Sequence, residues 1–319
     1  MTAEAATGRR PWRPVLRVAF AVLSIGALVA ATVAQWPNVR ETVDAVSWGA
    51  LVTAFAATTA GVLCALLSWR AVLADLGSPL RIRYAVGVFG IGQLGKYLPG
   101  SLWPVVAQME LGREHGVPRK RSGVAALLVM VVSLTAAGLV SAATLPFAAR
   151  GSLGPYRPVF VLPAAGLVLL HPAVFNAVTA RGLRLLRRAP LERGLSPRGT
   201  ATALAWALAQ WLCWGVAVWA LARGLPDAHG PLLALSVGAY ALAWSAGFLF
   251  LVAPAGAGVR EGALVLLLGP SLGTAEALGV ALLVRLLTTG SDLLWGAVAF
   301  AEGGHRWLGR RAEGRRNAV

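Results

Sequence analysis

The chain has 319 residues, 57% of them hydrophobic and only 13% charged, with a mean hydropathy of +0.68, whereas soluble domains are about 45–50% apolar and about 25% charged. This composition excludes an ordinary soluble domain and a disordered chain, and two cysteines exclude a secreted disulfide scaffold. The net charge of +16 comes from 27 Arg and 2 Lys against 13 acids; the basic residues cluster between apolar runs, as in loops retained on the cytoplasmic side, so no nucleic-acid partner is expected.

Residues 1–14 read as a basic cytoplasmic N-terminus. The first apolar run, 15–36, follows Arg9, Arg10 and Arg13. It is longer than a signal-peptide core and lacks a good small-residue cleavage pattern, so an uncleaved helix is expected. Further crossings are expected at 47–69, 123–147, 159–176, 200–222, 231–252 and 275–300, each near the roughly 20 residues that span a bilayer. Cys64 and Cys213 lie inside such runs and read as packing residues.

Two stretches are apolar at both ends but interrupted between, at 84–110 and 247–270. Gly, Pro and charge break each of them. Freed backbone groups are tolerated at membrane depth only where protein or a water-filled cavity surrounds them. Arg70, Arg81 and Arg83 before the first stretch, and Arg113, Arg119, Lys120 and Arg121 after it, place both of its ends on the cytoplasmic side. It is therefore expected to enter and return. The loop 181–198, with six Arg and one Glu, reads as cytoplasmic, as does the tail 303–319. That parity requires a short additional crossing at 259–272. The expected fold class is all-α: a polytopic integral membrane bundle of about eight helices with a re-entrant or broken-helix element, in one transmembrane domain over 15–302. A multi-pass protein of the cytoplasmic membrane with both termini in the cytoplasm follows.

Gly90-Ile91-Gly92-Gln93-Leu94-Gly95 matches a dinucleotide fingerprint, and 90–96 matches most of a phosphate-binding loop. Neither has its structural context: no strand is expected before it, and Tyr97 stands where a Ser or Thr would hold magnesium. Helix packing explains these glycines better.

Lys96 carries more weight, because an ammonium in an apolar re-entrant element is costly unless it faces a cavity or a partner. Tyr97 follows it, and Pro99 and Gly100 then stop the helix. A new helix from Ser101 would direct its positive N-terminus at the same place, so an anion site is one reading and snorkelling to the interface the other. The second break runs Pro254-Ala255-Gly256-Ala257-Gly258-Val259-Arg260-Glu261. Glu261 suits a helix N-terminus, while Arg260 either pairs with it or meets an anionic ligand. Interrupted segments in matching places of two halves are a pointer to a transport site. In the last crossing Arg285, Thr288, Thr289 and Asp292 share one helical face. That stripe should turn into the bundle, Arg285 and Asp292 pairing with each other or with Arg260 and Glu261. His171, before Pro172, reads as interfacial. No metal or cofactor is expected, and no catalytic constellation is recognisable.

The stretches GQLGKYLPGSLWPVVAQMELGREHGVPRKRS at 92–122 and PAGAGVREGAL at 254–264 resemble the lysylphosphatidylglycerol synthase transmembrane-region family, also described as flippase-like domains. In its multiple peptide resistance factors this membrane part is thought to move aminoacylated phosphatidylglycerol between leaflets. The resemblance implies that Lys96, Tyr97, Pro99 and Gly100 form one functional loop, and Pro254, Gly256, Gly258 and Glu261 another. Related members are associated with polyprenyl-linked sugars. No soluble aminoacyl-transferase domain is read in these residues, so a stand-alone member is expected.

The expected function is binding and translocation of an anionic, aminoacylated or glycosylated lipid head group. Membrane lipids are the expected partners, with a separately encoded transferase as a second candidate. Two alternatives stand: an integral-membrane enzyme acting on a lipid-linked sugar or phosphate with Glu261 or Asp292 as base, and a non-catalytic subunit of such a transferase.

Overall fold

Where lipid offers no hydrogen bonds, long apolar runs satisfy their backbone only as helices. The computed structural model describes residues 36–97, 103–148, 161–225, 228–250, 256 and 258–316. Among these no strand occurs, and the helices in chain order are α1 (Trp36–Ala45), α2 (Trp48–Asp75), α3 (Ile82–Leu94), α4 (Trp103–Glu114), α5 (Arg119–Ala148), α6 (Val161–Leu170), α7 (Pro172–Leu185), α8 (Pro197–Ala222), α9 (Leu232–Leu249), α10 (Val259–Leu272) and α11 (Thr274–Arg316), with a single 3-10 turn at Gly95–Tyr97 after α3. The all-α membrane bundle is thus the observed class.

Among the described residues five helices are long and apolar enough to cross a membrane: α2, α5, α8, α9 and the Thr274–Ala301 part of α11. The continuous crossing expected at 159–176 is instead two helices, α6 and α7, bent by 77°. Pro172 is the cause: it has no N–H to continue α6, and it starts α7 behind His171 as N-cap. Counting this pair as one span makes six among the described residues, against the eight expected. The expected crossing at 15–36 lies outside the described residues. The expected short helix at 259–272 is α10, whose 14 residues make about 21 Å, short of the roughly 30 Å hydrocarbon core. The last helix continues through the expected tail as far as Arg316.

The most extensive pairing is α2 against α8. Gly61 permits it: a Cβ there would meet the Trp214 indole, whose N–H donates to the Thr58 carbonyl at 3.2 Å. The free Cys64 and Cys213 face each other across the same pair. At one end, the Asp75 carboxylate accepts from both the N–H and the hydroxyl of Ser196, each at 2.7 Å, tying the end of α2 to the N-cap of α8. Asp75→Ala removes two charge-assisted bonds, and we expect a stability loss of roughly 1.5–3 kcal/mol, read as a lower thermal midpoint in detergent. An unchanged midpoint would show that the tie contributes nothing.

The basic loops converge on that end. Lys120 donates to the Ala189 and Pro190 carbonyls at 2.9 Å, and Arg121 donates to the Gly77 carbonyl at 2.9 Å, to Ser78 Oγ at 2.7 Å and to Glu192 at 3.1 Å. At the opposite end the His229 N–H donates to the Ser271 carbonyl at 3.3 Å, joining the start of α9 to the end of α10.

Candidate functional site

Two hairpins enter the bundle from opposite ends. The first is α3 and α4. Both of its open ends lie at the basic end of the molecule, where the Tyr84 ring stacks on His115 with centroids 4.6 Å apart. Its legs touch closely because glycines line them: a Cβ on Gly92 would stand 3.0 Å from Gln108 Cγ, and one on Gly95 would stand 3.0 Å from Pro104 N. The fingerprint-like glycines therefore serve packing, within helices rather than after a strand. The 13 residues of α3 carry the tip, Gly95–Tyr97, about 20 Å inward.

The second hairpin is α9 and α10, closed at the other end by His229 and Ser271 and interrupted inside the bundle. At that interruption Gly256 has a φ of +68°, and a Cβ on it would lie 2.8 Å from Gly247 Cα in α9. Both the left-handed backbone and the close approach demand glycine. Gly256→Ala should cost about 1–3 kcal/mol, measured as a fall in the thermal midpoint; a variant as stable as the wild type would refute the tight crossing.

The two interruptions meet on α11. Lys96 Nζ lies 2.7 Å from Asp292 Oδ2, and the Tyr97 hydroxyl donates to the same oxygen at 2.6 Å. The Asp292 side chain is 1% exposed and that of Lys96 36%, so the carboxylate is inside and the ammonium looks outward. Asp292 Oδ1 is buried without a hydrogen-bond partner among the described residues. Seven residues earlier, about 10 Å along the helix, Arg285 pairs with Glu261, and both side chains are buried. Glu261 also accepts the Gly258 N–H at 2.7 Å, capping the start of α10 where negative charge meets the positive helix end. Thr288 and Thr289 donate to the Arg285 carbonyl at 2.9 Å each.

Arg260 stands apart. Its guanidinium lies 4.5 Å from the Tyr240 ring centroid and donates to the Tyr240 hydroxyl. Among the described residues it makes no ion pair, though it interacts electrostatically with Glu261, Arg285, Tyr97 and Asp292. Taking charge out of water is repaid only by good pairing and hydrogen bonding. Four of the five ionised groups here have that pairing, and Arg260 has a phenol and a ring face instead. Chemically, the arrangement offers two cations, Lys96 and Arg260, to an anion, beside two carboxylates that are each paired with a cation.

A profile of the lysylphosphatidylglycerol synthase TM region matches residues 15–296 of the chain. The chain belongs to that family. No curated protein matches it. Membership in the lysylphosphatidylglycerol synthase TM family makes it a multi-pass membrane protein of lipid metabolism or transport, associated with membrane lipids.

Of the residues singled out in this family member's sequence, Lys96, Tyr97 and Asp292 form one group. Arg260, Glu261, Arg285, Gly256 and Gly258 form the other. Pro99, Gly100, Ser101 and Pro254 lie outside the described residues. Of the pairings the sequence offers, Arg285 with Glu261 is observed; the others are not. Glu261 pairs across helices with Arg285 rather than with its neighbour Arg260, because side chains one residue apart on a helix do not face each other. Asp292 pairs with Lys96, not with Arg285 or Arg260. Tyr240 escapes sequence reasoning altogether: nothing marks one phenol in an otherwise apolar helix. His171 is exposed at the α6–α7 bend.

Proposed function

We propose that this protein binds a lipid head group between the two interruptions and moves it between the leaflets of the cytoplasmic membrane, with both chain termini in the cytoplasm. Lys96 and Arg260 attract the phosphate. Asp292 and Glu261 hold the cations in place when the site is empty and balance charge as the ligand arrives and leaves. Tyr97 and Tyr240 supply hydroxyls beside each cation, and the glycines at 256 and 258 let backbone approach the ligand.

One observation carries this reading: two hairpins from opposite ends place their tips on one face of α11, so that charged side chains gather inside an apolar bundle. Interrupted helices meeting at mid-depth suit alternating access, since each tip lies nearer a different end. Such movement requires two states of comparable energy, each favoured by ligand on its own side. The basic loops gathered at one end agree with a cytoplasmic placement of that end.

Transport and catalysis leave different traces. In lipids from cells lacking or overproducing the protein, transport predicts altered distribution between leaflets with no new molecular species by mass spectrometry. A new lipid species that disappears with Glu261→Gln or Asp292→Asn would instead establish an enzyme.

A further inference from the structure

The interior charges can be counted over the described spans and the two loops beside the site, with 15–36 left aside. Across 48–69, 84–108, 122–148, 199–222, 232–272 and 277–301, which include both undescribed loops beside the site, the side chains of Asp, Glu, Lys and Arg are Lys96, Arg260, Glu261, Arg285 and Asp292 alone. All five gather at the two hairpin tips and on α11. Three are cations and two are carboxylates, and the two carboxylates are taken by Lys96 and Arg285. Arg260 is the surplus charge, held by the neutral Tyr240. Other charges on neighbouring elements lie outside these spans: Arg40 and Asp44 of α1 pair with each other at an exposed site, Glu41 lies on the same helix, Glu276 lies in the first turn of α11, and Arg81, Arg83, Glu110 and Arg113 lie toward the basic end.

We infer that the head group this site takes carries one net negative charge, as a phosphodiester without a free amine does, and that a net-positive aminoacylated head group is selected against. The inference rests on the head-group site proposed above and specifies its ligand. A single phosphodiester charge matches the surplus of Arg260 and leaves the cluster neutral, with both existing ion pairs intact. A lysylated phosphatidylglycerol brings up to two ammonium groups to one phosphate. It would add positive charge to a cluster already in surplus, while each carboxylate already has its cation. At low dielectric that like-charge excess discriminates strongly, and specificity comes as much from the unmatched charge as from the matched one. Phosphatidylglycerol and a polyprenyl phosphosugar share the required chemistry.

Binding of lipid probes to the purified full-length protein in detergent, measured by competition, tests this. The probes are phosphatidylglycerol, a polyprenyl phosphosugar, lysylphosphatidylglycerol, and lysylphosphatidylglycerol acetylated on both amines. One or both of the first two should bind at least tenfold more tightly than the lysylated lipid, and whichever is tighter names the source. Acetylation, which keeps the bulk and removes the positive charge, should recover most of that difference. Arg260→Gln should narrow it to about threefold or less. Lysylphosphatidylglycerol binding as tightly as phosphatidylglycerol, or acetylation leaving its affinity unchanged, would overturn the inference while leaving the site in place. Equal affinities of the wild type, Arg260→Gln and Lys96→Met/Asp292→Asn for every probe would overturn the site as well.

Discussion

Arg285→Met should destabilise the bundle by about 3–5 kcal/mol, since it strands the Glu261 carboxylate without its cation in a desolvated place. Arg285 and Glu261 both have buried side chains, and they join α11 to α10 across the second interruption. Glu261→Gln keeps a group able to accept the Gly258 N–H, but it leaves Arg285 buried without its carboxylate beside the surplus Arg260, so it too should be destabilising. The double variant Glu261→Gln/Arg285→Met removes both charges, and most of the stability lost in Arg285→Met should return. Thermal unfolding of the four proteins in one detergent closes the cycle. Additive losses, with no recovery in the double variant, would show that the pair is not coupled.

Lys96→Met/Asp292→Asn should keep the fold and lose head-group binding by at least tenfold, equivalent to about 1.4 kcal/mol. Lys96→Met by itself would leave Asp292 buried and unpaired, which confounds binding with folding. Neutralising both members avoids this, and the amide introduced by Asp292→Asn still offers an oxygen to the Tyr97 hydroxyl. Retention of anionic lipid by the purified variant, compared with wild type at equal thermal midpoint, is the measurement. Full retention would mean that Lys96 serves structure alone.

Much of the bundle is legible in the residues. The crossings at 47–69, 123–147, 200–222, 231–252 and 275–300 correspond to α2, α5, α8, α9 and α11, because hydropathy over some twenty residues is a strong signal and helix is the only open solution in lipid. The break within 159–176 is not, since His171 and Pro172 barely disturb an apolar average while the missing N–H redirects the chain by 77°. Within the candidate site the charged residues themselves stand out, for a Lys or Asp in an apolar run has few bland explanations. Their partners do not. Lys96 and Asp292 lie in distant parts of the chain, and nothing local links them. Arg260 and Glu261 are adjacent in sequence and so invite pairing, yet helical geometry sends one toward Tyr240 and the other toward Arg285. Tyr240 carries no mark in the sequence because its role comes only from the hairpin that lays α10 against α9.

The charges gathered at the two hairpin tips should hold a lipid head group in transit. Transbilayer movement of a labelled anionic phospholipid in liposomes reconstituted with the full chain puts this to the test. Protein-dependent movement should fall at least tenfold in Lys96→Met/Asp292→Asn and in Arg260→Gln, with both variants inserted and folded. Movement at the wild-type rate in both variants, or no protein-dependent movement of any anionic lipid, would contradict it.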